Sequence, residues 1–165
     1  MLFEKNLTDK AAEVLKIAGE KHFRIASAES CTGGLIAGLL TEIPGSSVVV
    51  GRSFITYSNR AKHEILGVDA DLLRAHGAVS EEVVHAMAEN TFNMTTAHLT
   101  IAVSGIAGPG GGSAEKPAGT VHMATYMADG GISHIKQSFG DIGRTEVRLA
   151  TVNAAMDMLL TRLKG

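Results

Sequence analysis

Short apolar runs alternate with longer amphipathic stretches along the chain, which is the pattern of an α/β protein. Strands are predicted over residues 23–28, 48–57, 99–104, 119–127 and 132–139, with Gly51 as a bulge in the second. Helices are predicted over residues 8–21, 32–41, 59–66, 69–75, 80–93 and 144–163, with Thr8 and Ser80 as N-caps. Because the last two strands form a hairpin, we expect one α/β domain over residues 1–165, a mixed β-sheet sandwiched between helices.

The length, composition and net charge of the chain exclude several classes of protein. The chain has 165 residues, 45% of them hydrophobic, and a net charge of -2, so it is expected to fold around a core and to bind no nucleic acid through overall charge. No apolar run reaches transmembrane length and the N-terminus lacks a signal-peptide layout, so no membrane association is expected. A single cysteine fits a reducing compartment, and the expected location is cytoplasmic.

Several common site types are not supported by the spacing of the residues. The glycine-rich stretch after the third strand lacks P-loop chemistry, because Lys116 is followed by Pro117, and the dinucleotide fingerprint is missing too. No nucleophile elbow of the α/β-hydrolase type occurs. The seven histidines are scattered, and nothing supplies an obvious carboxylate partner for His122 and His134, so no metal site and no cofactor are expected.

Four polar clusters at or near the ends of strands carry the candidate chemistry. In open α/β sheets ligands bind beyond the carboxyl ends of the strands, so we expect the clusters to converge on one pocket. The clusters are Glu29–Gly34, Thr56–Lys62, the glycine-rich stretch Ser104–Ser113, and Gly143–Arg144 with Arg148.

The first cluster offers two nucleophiles, Ser30 and Cys31, at a strand-to-helix turn. Helix N-termini stabilise negative charge, although a Ser or Thr in this place is also a common N-cap. Ser30 would need a base, and Lys62 qualifies only if burial or a neighbouring cation such as Arg60, Arg144 or Arg148 lowers its pKa. Cys31 is the alternative nucleophile, or simply a small buried residue. The residues alone leave these alternatives open.

The motifs, taken together and in order, resemble those of the CinA C-terminal family, nicotinamide-nucleotide amidohydrolases that deamidate nicotinamide mononucleotide. The resemblance covers most of residues 8–160, and the chain resembles the stand-alone version of the family. The matching residues are Ala28–Gly34, Tyr57–Asn59 with Lys62, Leu66–Val68, Gly77–Glu81, Ser104–Pro109 with Gly111 and Gly112, Lys116–Val121, and Gly143, Arg144, Val147 and Arg148.

The resemblance implies hydrolysis of a linear amide, releasing ammonia and nicotinate mononucleotide in pyridine nucleotide salvage, with no metal. It assigns Ser30 as nucleophile and Lys62 as base, with Tyr57 and Thr32 in support. On physical grounds, backbone N–H groups near Thr32, Gly33 and Gly34 are expected to hold the oxyanion. The glycine-rich stretch and Arg144 or Arg148 are expected to hold the ribose and the 5′-phosphate. The full set of expected substrate-binding residues is Cys31, Gly33, Gly34, Ser104, Gly105, Gly108, Gly111, Gly112, Arg144 and Arg148.

One departure and one alternative accompany the resemblance. The family tends to have Phe-x-Gly-Asp-Arg near the C-terminus, whereas this chain has Phe139-Gly140-Asp141-Ile142-Gly143-Arg144, which leaves open which arginine binds the phosphate. The alternative function is a non-catalytic nucleotide- or partner-binding module, because relatives are linked to competence and DNA damage responses. The sequence is also compatible with a homo-oligomer.

Overall fold

A five-stranded mixed sheet with the strand order β2-β1-β3-β4-β5 forms the centre of the molecule. The computed structural model describes residues 2–165. The strands are β1 (Ile25–Glu29), β2 (Val50–Ile55), β3 (Leu99–Gly105), β4 (Thr120–Met127) and β5 (Gly131–Ser138). The helices are α1 (Lys5–Glu20), α2 (Leu35–Thr41), α3 (Asn59–Leu66), α4 (Ala70–His76), α5 (Glu81–Asn93) and α6 (Arg144–Lys164).

The direction of the strands decides where a site can form. Strand β1 pairs in parallel with both β2 and β3, whereas β4 and β5 are added as an antiparallel hairpin. The carboxyl ends of β1, β2 and β3 therefore lie at one edge of the sheet. The register between β1 and β2 steps from Ile25–Val50 to Ala26–Arg52, which leaves Gly51 as the predicted bulge.

The two faces of the sheet carry side chains of different size. Large residues such as Ile101 and Met123 pack against α1, α2 and α6, whereas Ala28, Ala102 and Ala124 lie under α5. Alternate residues of a strand point to opposite faces, so this division follows directly from the sequence of each strand. Small side chains under α5 let that helix approach the sheet closely. The mixed α/β architecture with helices on both faces is confirmed.

The ends of the helices follow local hydrogen bonding. Ser58 and Ser80 cap α3 and α5 by accepting from the N–H groups of Ala61 and Val83. The first helix begins at Lys5, so Thr8 lies inside it and is not the expected N-cap. The Thr8 hydroxyl donates to the Lys5 carbonyl instead. Helix α2 begins at Leu35, not at Thr32. Within residues 2–165, no helix combines the length and apolar character that a membrane span requires.

Candidate active site

A cavity of about 340 Å³ opens at the carboxyl edge of the three parallel strands. We call it the Ser30 cavity, and all four polar clusters contribute to it. Its lining residues are Ser30, Cys31, Tyr57, Lys62, Ala78, Val79, Arg144 and the stretch Ser104–Gly111. The convergence expected from the sequence is therefore present in the structure. Ala78 and Val79, between α4 and α5, also line the cavity. They belong to the family-matching segment Gly77–Glu81, but sequence reasoning gave them no place in the site because apolar loop residues carry no chemical signal.

Ser30 and Lys62 are in direct contact on the floor of this cavity. Ser30 directly follows β1, and its backbone N–H donates to the Val103 carbonyl of β3. Lys62 lies on α3, and Ser58 is the N-cap of that helix. The Lys62 Nζ atom is 2.9 Å from Ser30 Oγ and donates a 2.8 Å hydrogen bond to the Thr56 carbonyl. The hydroxyl and the amine thus sit at proton-transfer distance.

Burial changes the acidity of the Lys62 amine. The side chain is 1% exposed, and loss of hydration lowers the pKa of Lys62 to about 8. Cys31 acts in the opposite direction, but burial is the larger effect. Of the two causes considered from the sequence, burial and a neighbouring cation, burial is the one that lowers this pKa, and Arg60 points to solvent and pairs with Glu64. The free amine is consequently accessible near neutral pH.

Burial also makes Cys31 a poor nucleophile. Its thiol is buried, and desolvation raises the pKa of Cys31 to about 11, although its own backbone N–H and the Lys62 charge pull it downward. Only a thiolate attacks a carbonyl carbon efficiently. Cys31 is therefore a protonated thiol at neutral pH, and this geometry favours the hydroxyl next to it.

A buried carboxylate holds the turn that carries Ser30. Glu29, at the end of β1, accepts from the backbone N–H groups of Gly34, Ile36 and Ala37 at 2.9–3.1 Å. It also accepts from the Thr32 hydroxyl at 2.6 Å. These are the unpaired donors at the start of α2, so Glu29 caps the helix from inside the protein. Sequence reasoning placed Glu29 in the cluster but gave it no role.

Arg148 holds the other side of the same turn. From α6, its guanidinium donates to the carbonyls of Cys31 and Thr32 at 3.1 and 2.8 Å. The turn is therefore fixed between an anion on its N–H side and a cation on its carbonyl side. Arg148 does not line the Ser30 cavity, and neither does Thr32, whose hydroxyl is committed to Glu29. The structure thus places both residues behind the cavity wall, not in it.

The expected oxyanion donors also need correction. The Gly33 N–H donates to the Ser30 carbonyl and the Gly34 N–H donates to Glu29, so both are already paired, and neither glycine lines the cavity. Gly34 adopts a φ of 97°, which explains the glycine there without reference to a ligand. In residues 2–165, the backbone N–H groups of Cys31 and Thr32 donate to no carbonyl oxygen. These two N–H groups replace those of the glycines as candidate donors.

Arg144 supplies the positive charge at the cavity. It is the first residue of α6, and its guanidinium donates to the Gly108 carbonyl at 2.9 Å and to the Tyr57 hydroxyl at 2.6 Å. Tyr57 is 59% exposed, so this pair lies at the mouth. Arg144, not Arg148, is thus the arginine able to meet an anionic ligand.

The glycine-rich stretch forms one wall. Ser104 and Gly105 end β3, and the lining continues through Gly108 to Gly111. Gly112 lies outside the lining, contrary to the sequence-based expectation. A Cβ atom there would approach the Ala118 nitrogen to 2.8 Å, so this glycine serves the packing of the loop on itself.

The histidines lie outside the Ser30 cavity, but one expectation about them is wrong. His122 and His134 are on neighbouring strands as predicted, 3.0 Å apart between Nδ1 and Nε2. A carboxylate does accompany them, because Glu81 at the start of α5 reaches His134. Sequence reasoning missed it because it considered pairs of histidines and not a glutamate on another element.

A family model for the CinA C-terminal domain matches residues 7–163. The chain belongs to this family. A nicotinamide-nucleotide amidohydrolase PncC from Enterobacter agglomerans is 48% identical over 98% of this chain and 96% of its own length. A competence/damage inducible protein from Agrobacterium tumefaciens superposes with a TM-score of 0.97 at 48% identity, covering 100% of this chain and 99% of that one.

Other relatives of the CinA family include both longer proteins and chains of similar length. A CinA-like protein from Synechococcus sp. (strain CC9902) is 46% identical over 93% of this chain, yet the match spans only 36% of that protein. A CinA superfamily structure from Klebsiella pneumoniae has a TM-score of 0.91 at 32% identity, over 97% of this chain and 99% of that one. The family fold is thus found both as a short chain and as part of a longer protein.

We predict that Glu29→Ala lowers the free energy of unfolding by more than about 3 kcal/mol, because several buried donors each lose a partner at a cost of about 1–3 kcal/mol. Chemical denaturation measures the change. The isosteric Glu29→Gln should lose less, and Glu42→Ala, at the other end of α2, serves as the matched control. A loss in Glu29→Ala no larger than in the control would contradict the capping role.

Proposed function

We propose that this protein hydrolyses the carboxamide of nicotinamide mononucleotide to nicotinate mononucleotide and ammonia. The observation that carries the proposal is the 2.9 Å contact between Ser30 Oγ and the buried Lys62 amine inside a cavity. The relationship to a nicotinamide-nucleotide amidohydrolase of nearly equal length supplies the substrate. In this role the enzyme works in pyridine nucleotide salvage, and we place it in the cytoplasm.

The first half of the reaction acylates Ser30. The neutral Lys62 amine takes the Ser30 hydroxyl proton as Oγ attacks the amide carbon, giving a tetrahedral intermediate. Lys62 then passes this proton to the amide nitrogen, the C–N bond breaks, and ammonia leaves. The hydrogen bond from Lys62 to the Thr56 carbonyl keeps the amine aimed at Ser30 through both steps.

The second half regenerates the enzyme with the same groups. Lys62, again neutral, takes a proton from water, and the resulting hydroxide attacks the ester carbon. Ser30 leaves as an alkoxide that recovers its proton from Lys62, and nicotinate mononucleotide is released. Each proton that enters Lys62 leaves it in the next step, so the reaction consumes one water and no other reagent.

Two backbone donors suit the developing oxyanion. The N–H groups of Cys31 and Thr32 follow Ser30 directly and donate to no carbonyl oxygen in the described part of the chain. Arg148 and Glu29 fix the turn from which they project. Donors of this kind each contribute about 3–4 kcal/mol to stabilisation of the transition state when preorganised.

The remainder of the substrate fits the outer part of the cavity. Its 5′-phosphate requires a cation, and Arg144 at the mouth provides a forked guanidinium already oriented by Tyr57 and Gly108. The wall from Ser104 to Gly111 allows close backbone approach to the ribose. In this arrangement the amide reaches Ser30 while the phosphate stays near solvent.

The decisive experiment is incubation of the purified protein with nicotinamide mononucleotide and measurement of ammonia. Release of one ammonia per nicotinate mononucleotide formed is the expected outcome. Tight binding of the nucleotide without any ammonia would instead favour the non-catalytic binding module that the family's competence-related names suggest.

We predict that Ser30→Ala reduces kcat at least about 1,000-fold, since the residual rate would rest on binding and the oxyanion donors alone. Cys31→Ala should keep most of the activity because its thiol is protonated. Ser47→Ala, an exposed serine, is the control for serine replacement in general. An inactive Cys31→Ala beside an active Ser30→Ala would reverse the assignment of the nucleophile.

The pH profile tests the base. Lys62 works only as the free amine, so kcat/KM should rise about tenfold per pH unit below pH 8 and level off above the pKa of about 8. Lys62→Met should lower kcat about 100- to 10,000-fold and remove this limb, whereas the exposed Lys16→Met should not. A Lys62→Met enzyme with the wild-type profile would exclude the lysine as base.

Arg144 should control affinity for the phosphate. Loss of charge-assisted hydrogen bonds costs about 1.5–3 kcal/mol, so Arg144→Ala is expected to raise KM for nicotinamide mononucleotide about 10- to 150-fold. Nicotinamide riboside lacks the phosphate and should show little change between the two enzymes. Equal losses for both substrates would assign Arg144 a structural role and leave the phosphate site elsewhere.

A further inference from the structure

Three side chains outside the Ser30 cavity meet between helix α5 and the edge strand β5. Glu81 and His85 are one helical turn apart on α5, and His134 lies on β5 facing them. None of the three lines the Ser30 cavity. One ligand atom from each residue lies within 4.8 Å of the other two. We call these three residues the histidine–glutamate cluster.

Two distances between side-chain atoms of the cluster are close to those between neighbouring ligands of a bound metal ion. Glu81 Oε1 is 3.6 Å from His85 Nε2, and Glu81 Oε2 is 3.6 Å from His134 Nδ1. A tetrahedral cation with bonds of about 2.1 Å holds neighbouring ligand atoms about 3.4 Å apart. The same distances are too long for direct hydrogen bonds. The two spacings from Glu81 therefore suit ligands of one cation, and the two histidines each offer a ring nitrogen within 4.8 Å of the other.

A buried nitrogen at this place lacks a partner. His85 Nε2 is shielded from solvent and makes no hydrogen bond within residues 2–165. Unpaired buried polar atoms are rare because each costs free energy. A cation bound to this nitrogen would supply the missing interaction.

A third histidine, His122, fixes the orientation of His134. His122 Nδ1 lies 3.0 Å from His134 Nε2, and the two rings are stacked. When His134 Nε2–H donates to His122, the Nδ1 lone pair of His134 is directed at Glu81 and His85. Histidine ligands in metal sites characteristically have their second nitrogen held in this way.

We propose that Glu81, His85 and His134 form a binding site for one divalent transition-metal cation of the Zn²⁺ type. Two imidazoles and one carboxylate are a donor set that Zn²⁺ and Co²⁺ accept, with a further position left for water. The cation would join α5 to β5. Because Ala78 and Val79 directly precede α5 and line the Ser30 cavity, the site would also stiffen that wall.

The alternative within the same geometry is a set of ion pairs between Glu81 and protonated histidines. Both readings place a carboxylate among imidazoles, but they differ in stoichiometry. Ion pairs bind no metal, whereas the proposed site takes one cation per chain. Scattered surface histidines would bind several cations weakly.

The test is titration of the chelator-treated full-length protein with Zn²⁺ by calorimetry and with Co²⁺ by visible absorption. We expect one cation per chain, a Co²⁺ spectrum of low-symmetry coordination, and a rise in Tm with Zn²⁺. Glu81→Gln should weaken binding at least about 10-fold and remove most of the Tm rise, since it loses a ligand rather than an outer partner. His134→Gln should behave in the same way.

His76→Gln is the matched control, because His76 also pairs with a glutamate, Glu82 at 3.3 Å, but lies outside the cluster. It should bind the cation as the wild type does. Glu81→Gln is isosteric at a residue 54% exposed, so its fold is retained and its result is decisive. Absence of a one-to-one site in the wild type, or undiminished binding in Glu81→Gln, would overturn the proposal whether or not the protein releases ammonia.

Discussion

The turn from Ser30 to Gly34 depends on a buried carboxylate and a partly buried guanidinium that act from opposite sides. Glu29 collects the backbone N–H groups at the start of α2, while Arg148 collects the carbonyls of Cys31 and Thr32. Neither residue lines the cavity, yet together they fix the turn that carries the Cys31 and Thr32 N–H groups. The two charged groups that position the proposed nucleophile and its oxyanion donors thus lie outside the cavity. A charge-paired backbone of this kind is already oriented before substrate arrives.

Lys62 illustrates how the fold alters ordinary chemistry. A lysine on a short helix with Arg60 and Glu64 nearby looks like a solvated surface residue, but α3 turns this one side chain inward under the carboxyl edge of β1. There its amine contacts the Thr56 carbonyl and the Ser30 hydroxyl, and no carboxylate within residues 2–165 forms an ion pair with it. Removal of water alone then lowers its pKa into the working range. The helix cap at Ser58 and the burial of Leu66 hold this orientation.

Much of the architecture was predictable from the sequence because local signals agree with the tertiary structure. Ser80 caps α5 and α3 begins at Asn59 as expected, Gly51 forms the bulge, and the last two strands pair as a hairpin. Thr8 and Thr32 were predicted at the starts of helices, but neither is the N-cap of its helix. A hydroxyl residue at the start of an apolar pattern suggests an N-cap. In α1, however, the Thr8 hydroxyl donates to a carbonyl within the helix. In α2, the Glu29 carboxylate accepts from the N–H groups that an N-cap would bind, and the Thr32 hydroxyl itself donates to Glu29. In both cases the hydroxyl binds an acceptor three residues earlier in the chain instead of a helix N–H group.

The candidate site was predictable as a set of segments but not as a set of contacts. Strand ends converge by topology, so the four clusters had to meet. Which arginine faces the cavity depends instead on the angle at which α6 leaves Gly143, and one helical turn separates Arg144 at the mouth from Arg148 behind the wall. The proximity of Glu81 and His134 likewise joins two residues that are far apart in the sequence. No local pattern carries such information.

The parallel pairing of β1 with β3 has a consequence for biosynthesis. Ser30 is anchored by Val103, and the cavity is completed by Arg144, so its parts are spread over most of the chain. Contacts between such distant segments form late, after the loops between them have closed. A nascent polypeptide that has not yet released α6 from the ribosome therefore holds its serine and lysine in an unfinished pocket. Hydrolytic competence would arrive only with the final helix.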